Sequence, residues 1–274
     1  MFQTIRRACR HPELIATSLL IFILAMFNSG CNIRMEGCLD LAAENFDLNA
    51  DKPCDGCCTY PSVTVSLSQK WNDINFRTDT FYTDRYGKPF VINDLRYILS
   101  SFTWTGIEGE VHTIDSSEVA CGTNMIGFTH DIVIVEPRKF VYVLDTFRLY
   151  PTINEIQLKA GWKPELQCVD ETDVNLPVVF HNTSPLWDST ANARAAIRLI
   201  VQIDTSNEVF DTVFIHTCQD IFVGYEFDFK PGKDTKFDLT VNYAAWFEEA
   251  DIDDLNSFIT SVLENIQGSF TRTP

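Results

Sequence analysis

The sequence predicts an all-β protein, an antiparallel β-sandwich with one C-terminal helix, preceded by a small disulfide-rich N-terminal segment. Three observations lead there. Short runs of alternating polar and β-branched or aromatic residues recur between positions 62 and 242, the period-2 signature of half-buried strands. One stretch near the C-terminus switches to helical spacing. Four cysteines crowd into positions 38 to 58, ahead of the first strand-like run.

Taken in order, Arg6, Arg7 and Arg10 precede a charge-free run from Leu14 to Gly30, LIATSLLIFILAMFNSG, which reads as a secretory signal peptide over residues 1–30. Its apolar core, Leu14 to Phe27, is shorter than the roughly 20 residues a spanning helix needs. Asn28-Ser29-Gly30-Cys31 resembles a bacterial lipobox, in which small residues precede a cysteine that receives lipid. The resemblance implies lipidation of Cys31; plain secretion is the alternative. The chain is therefore expected to be exported and anchored by lipid at the outer membrane, on its periplasmic or surface side.

Without residues 1–30, 18 Lys and Arg stand against 37 Asp and Glu, about −19 formal charges. Such a balance argues against nucleic acid, whose affinity comes largely from cationic side chains on phosphates. The remaining 244 residues accommodate one large β domain, residues 62–274, behind a small appendage, residues 31–61.

That appendage carries GCLDLAAENFDLNADKPCDGCC, Gly37 to Cys58. Asn45, Asp47, Asn49 and Asp51 alternate, with Asp40 just before them. Oxygen side chains at every second residue are one way to wrap Ca²⁺; turn chemistry with solvation is the other reading. An EF-hand is excluded, because Ala50 and Gly56 occupy the places of that loop's glycine and its last glutamate. Gly37, Cys38, Asp40, Ala42, Asn45, Phe46, Asp47, Ala50, Asp51, Gly56, Cys58, Tyr60 and Pro61 together resemble the short Cys-bounded repeats similar to thrombospondin type 3 repeats. The resemblance implies calcium on the Asp and Asn side chains and pairing of the flanking cysteines. Cys54 and Cys57 are additional to that pattern, so a second bridge is expected. Zinc on Cys38, Cys54, Cys57 and Cys58 is the competing reading; an exported chain meets an oxidising compartment, which favours disulfides.

From Ser62 the strand-like runs follow: SVTVSL, FVINDLRYILSSFTW (Phe90 to Trp104), HDIVIVE (His130 to Glu136), KFVYVLD (Lys139 to Asp145), IRLIVQID (Ile197 to Asp204) and EVFDTVFIHT (Glu208 to Thr217). GYEFDFK and TKFDLTVNY flank Pro231-Gly232-Lys233-Asp234, a hairpin turn; Tyr225, Phe227 and Phe229 share a face. Asp251-Ile-Asp-Asp opens the helix, in which Ile252, Leu255, Phe258, Ile259, Val262, Leu263 and Ile266 recur at helical spacing up to Gly268. Residues 160–193 are irregular, as long functional loops in β domains are. Cys121, Cys168 and Cys218 allow at most one bridge among them and leave one thiol, unless that one reaches the N-terminal segment.

Tyr86, Gly87, Leu95, Arg96, Tyr97, Leu99 and Ser100, with Phe214-Ile-His216-Thr-Cys218 and the closing LTVNYAAWF, resemble the methanobactin-associated copper-binding (MbnP-like) domain. This implies an extracytoplasmic β-sandwich with a surface copper site built from histidines and an oxidised tryptophan. The chain departs from the family at Ser68-Gln69, where a histidine is common; an amide does not replace imidazole at copper. The histidines after residue 30 are His112, His130, His181 and His216. Of these His216, then His181 and His130, are the candidate copper ligands, with no H-x-H pattern to bring them together.

No G-x-S-x-G elbow, H-E-x-x-H or Walker loop is present, and no catalytic residue is assigned. The expected function is metal binding without turnover, with an extracytoplasmic protein as partner. The alternative is a cell-surface adhesion or carbohydrate-binding module with a calcium-stiffened stalk, in which Trp104, Trp162 or Trp187 lines a groove.

Overall fold

The computed structural model describes residues 34–114, 116–146, 152–173, 175–203, 209–228 and 230–273; residues 1–30, expected to be a signal peptide, and Cys31 lie outside them. Two compact units divide these residues. One holds the chain up to Leu39 with Asp47–Cys57, the other Asp40–Phe46 with Cys58 onward.

The first unit is built on a parallel bridge of Glu36–Gly37 with Lys52–Pro53. Asp51 N donates to Met35 O at 2.8 Å and Cys54 N to Gly37 O at 3.0 Å. Position 37 needs glycine, since a Cβ there would stand 2.9 Å from that of Ala50. Cys54 and Cys57 form a disulfide.

The second unit is mainly antiparallel β, as the alternating runs predict. Its strands are β1 (Ser62–Trp71), β2 (Phe81–Thr83), β3 (Pro89–Gly106), β4 (Val111–Thr113), β5 (Ser116–Cys121), β6 (Asn124–Thr129), β7 (Val133–Val135), β8 (Val141–Thr146), β9 (Thr152–Ala160), β10 (Ile197–Gln202), β11 (Asp211–Ile215), β12 (Gln219–Asp228), β13 (Thr235–Asn242) and β14 (Phe270–Arg272). The larger sheet follows the order β11-β10-β3-β9-β12, with β2, β4 and β7 also paired to β3. The smaller follows β8-β1-β13-β14, in which β1 and β13 run parallel. β5 and β6 form a separate hairpin.

The inward faces of both sheets supply the main core: Val63, Val65 and Leu67 from β1, Phe237, Leu239 and Val241 from β13, and Leu95, Tyr97, Leu99 and Trp104 from β3. Two helices close it, α1 (Tyr243–Trp246) and α2 (Leu255–Asn265). Asn242 caps α1 by accepting from Ala244 N, and Asp254 caps α2 by accepting from Asn256 N, the expected use of short polar side chains at helix starts. Phe258 and Val262 turn the stripe of α2 inward. The predicted helix is therefore present but begins at Leu255, because Asp251-Ile-Asp-Asp supplies a turn and the cap.

Gln69, the position where the sequence resemblance led to the expectation of a histidine, is buried in this core. Its Nε2 donates to Glu136 O at 3.0 Å and Lys139 O at 2.8 Å, and its Oε1 accepts from Tyr243 Oη at 3.1 Å. Tyr243 Oη in turn lies 3.1 Å from Tyr97 Oη. An amide offers two donors and an acceptor, which an imidazole cannot match. The position is thus part of the core's polar network.

β3 is buried on both faces. Its outward Ile98 joins a second cluster with Val119, Phe128, Trp162, Leu166, Val169, Val179, Phe180 and Leu186, so the irregular 160–193 segment covers the sheet. At its centre Arg194 is 2% exposed. Its Nε donates to Phe180 O (3.0 Å), Nη1 to Leu166 O and Gln167 O (3.2 Å each), and Nη2 to Val169 O (2.8 Å) and Phe180 O (2.7 Å). A disulfide joins Cys121 of β5 to Cys168 in the same segment, leaving Cys218 as the free cysteine among the described residues. One bridge and one thiol were the expected outcome for these three.

Two predictions follow from these contacts. Arg194→Ala leaves four carbonyls short of donors in a closed site, so urea unfolding should show a loss of about 3 kcal/mol or more, each abandoned group costing about 1–3 kcal/mol. Arg194→Lys, with three donors on a single centre, should recover only part of it. The second concerns Asp84, which ties the Tyr86-Gly87 turn to Ile252. Burial pushes its carboxyl up, but hydrogen bonds from Lys88 N, Ile252 N and Tyr86 N, with the Lys88 charge, outweigh this and hold it below the ordinary value. Its stabilisation is therefore complete above about pH 4 and is lost as pH falls through the depressed native value. Asp84→Asn should lower the urea midpoint at pH 7 and shrink the wild-type difference between pH 7 and pH 3. Identical pH dependence in the two proteins would refute it.

Candidate functional site

His216 follows β11, where the strand ends against the covering segment. Its Nδ1 lies 3.2 Å from Arg194 O and its Nε2 3.1 Å from Asp188 Oδ2. Because a carbonyl only accepts, Nδ1 carries the proton in that bond, and Nε2 is the nitrogen that faces the carboxylate. Asp188 is 7% exposed. Burial pushes its carboxyl up, yet hydrogen bonds from Ala191 N and Thr190 N, together with the His216 contact, hold it below the usual range. It is an ionised partner fixed by the turn after it.

His216, Thr217 and Cys218 line a cleft of about 510 Å³ with Trp162, Gln167, Asn192 and neighbours. His216 and Cys218, two residues apart in the link between β11 and β12, both border this cleft. Trp162 forms the cleft's back wall and anchors its own indole by donating to Ala195 O at 3.0 Å. The cleft thus gathers an oriented imidazole and a free thiol, and the ionised Asp188 carboxylate, outside the lining, contacts the imidazole.

The other sequence candidates stand apart. His181 Nε2 donates to Asp173 O at 3.1 Å. His130, just after β6, lies between Ser117 Oγ (2.5 Å from Nε2) and Asp145 Oδ2 (3.3 Å from Nδ1). His112 stands opposite Trp104 on β4 with Nε2 buried and unbonded. Among the described residues no histidine belongs to a group of three or more His, Cys, Asp or Glu side chains whose ligand atoms lie within 4.8 Å of one another.

Within the first unit, Asp47 Oδ1 accepts from Asn49 N (2.8 Å) and Nδ2 (3.3 Å), and Asp51 Oδ2 from Met35 N (3.4 Å). In the second, Asp40 accepts from Ala42 N and Tyr60 Oη, and Asn45 from Thr59 N. These oxygens shape turns. Cys38, Cys54, Cys57 and Cys58 are all disulfide-bonded, the oxidised state expected of an exported segment, so no thiolate remains there for zinc. The tryptophan groove is corrected in one respect: Trp104 is fully buried between the sheets against Phe102 and Phe237, because β3 is covered on both faces.

Sequence reasoning singled out the histidines but missed Asp188 and Asp145 as their partners, and Ser117. Only the two-residue spacing of His216 and Cys218 was a visible signal; the rest depends on which strand ends meet.

Among the described residues no helix is long and apolar enough to cross a membrane. The sequence matches no family model and no curated protein. Among solved structures the chain is similar to MbnP from Methylosinus trichosporium, with 9% identity and a TM-score of 0.43 over 69% of this chain and 78% of that one.

Proposed function

We propose that the protein is an exported binding protein, anchored by lipid on Cys31 at the outer membrane, that holds copper in the His216 cleft and passes or receives it with an extracytoplasmic protein partner. The observation that carries this reading is His216 itself. Its Nδ1–H is fixed by the Arg194 carbonyl while Nε2 faces Asp188, in a cleft that also holds the free Cys218 thiol. Metal-bound imidazoles are commonly oriented by such a bond from the second nitrogen. Imidazole and thiol are ligands that copper favours.

The proposed donors are His216 and Cys218, which line the cleft, with Asp188 bonded to His216. Their ligand atoms do not all lie within 4.8 Å of one another, so an ion would have to draw them together, and Gln69 takes no part. Binding requires the thiol and Nε2 to give up protons, so uptake is accompanied by acidification. Binding without turnover is the role proposed for this cleft.

Adding copper to the purified protein should give one tightly bound ion with proton release. His216→Ala and Cys218→Ser should each weaken it at least about tenfold, about 1.4 kcal/mol, while His181→Ala leaves it intact. No uptake at micromolar metal, or equal uptake by His216→Ala, would overturn the reading. The first unit's Asp and Asn oxygens carry the calcium proposal: removing calcium with EDTA should expose residues 47–57 to protease, and an unchanged cleavage pattern would count against it.

A further inference from the structure

The contacts of His130 differ in kind from those of His216. Ser117 lies opposite Phe128 across the β5–β6 hairpin, and His130 is two residues beyond Phe128. The three side chains therefore share one hairpin face, with Ser117 and His130 as diagonal neighbours. That register puts Ser117 Oγ 2.5 Å from His130 Nε2. Across the ring, Asp145 Oδ2 is 3.3 Å from Nδ1. Asp145 comes from β8, where the register against β1 shifts between Val143 and Asp145, an irregularity of the kind that re-aims a side chain. Its other oxygen accepts from Thr146 N at 2.6 Å.

The order of contacts matters. A hydroxyl on Nε2 and a carboxylate on Nδ1 are the roles of nucleophile, base and orienting acid, and such a triad is recognised by geometry rather than by sequence position. Ser117 and His130 also open onto a cleft of about 390 Å³. Phe128, Ile132, Leu176, Pro177 and Phe180 give it an apolar wall. The Cys121–Cys168 bridge ties the hairpin that carries Ser117 to the segment that carries this wall.

We propose that Ser117, His130 and Asp145 form a hydrolytic site for esters with a short apolar acyl group, a second activity separate from the His216 cleft. Ser117 Oγ bonds to the acyl carbon while its proton passes to His130 Nε2. The ester C–O bond breaks, and the departing alcohol takes that proton. Water then adds to the acyl carbon, giving a proton to His130; the bond to Oγ breaks, the acid leaves and Ser117 recovers its proton. The sum is ester plus water to acid plus alcohol. Asp145 holds Nδ1–H and steadies the ring while it is charged, a positioning role. This goes beyond the expectation that the protein turns nothing over.

The test uses the purified full-length protein with p-nitrophenyl butyrate as substrate and a fluorophosphonate as an active-site label. Saturable hydrolysis should fall at least about 10⁴-fold in Ser117→Ala, since removing a triad nucleophile costs up to about 10⁶-fold. Asp145→Asn should lower kcat with little change in KM. Mass spectrometry should find the phosphonate on Ser117 and on no other serine, a readout that needs no variant to fold. Hydrolysis that Ser117→Ala retains, or label absent from Ser117, overturns the proposal. His216→Ala should leave both readouts unchanged, which separates this site from the copper cleft.

Discussion

The guanidinium of Arg194 is the interaction on which the covering layer of the larger sheet depends. A buried cation costs several kcal/mol unless its hydrogen-bonding capacity is met. Here five donor contacts reach four backbone carbonyls, with no carboxylate among the partners. Leu166 and Gln167 belong to a short 3₁₀ turn, Pro164–Cys168, in which Leu166 O accepts from Val169 N and the guanidinium adds donors to Leu166 O and Gln167 O. The side chain therefore replaces secondary structure in a segment that has little. The rings of Phe180 and Trp187 flank it at 5.8 and 5.7 Å.

Both clefts take part of their walls from the chain so organised. Asn175, Leu176, Pro177 and Phe180 border the His130 cleft, and Trp162, Pro164 and Gln167 with Ala191 to Ala193 border the His216 cleft. Arg194 also contributes its own carbonyl to His216 Nδ1. A change in how that side chain is satisfied would reach both histidines through backbone position. Loops that carry function are usually held by a rigid scaffold; in this unit part of the scaffold is a single arginine together with the Cys121–Cys168 bridge.

The strands, the hairpin turn at Pro231-Gly232 and the C-terminal helix were legible because each has a local period or turn residue. Asp254 as a cap was visible as a cluster of acids, though not which acid would do it. Phe229, grouped with Tyr225 and Phe227, lies outside the described residues. Gln69 was noticed only as a missing imidazole; its two carbonyl acceptors and Tyr243 come from parts of the chain up to 174 residues away, and no local pattern announces them. The same holds for the histidine partners. Asp188 and Asp145 are unremarkable in sequence and acquire meaning from a turn and a strand irregularity. Arg194, an isolated cation in an irregular stretch, gave no sign that it would be among the most buried residues.

The parallel pairing of β1 with β13 carries a consequence of another kind. Val63 lies beside Thr235 and Lys70 beside Asn242, so the smaller sheet joins residues about 170 positions apart. Contacts of such sequence separation form late, because the loop they close is long. β1 is made early in synthesis yet has no parallel neighbour until residue 242 exists. The hydrophobic face of Val63, Val65 and Leu67 must therefore wait, uncovered by that neighbour, until nearly the whole chain is available. The delay fixes the interval in which that face is most open to contacts other than its native ones.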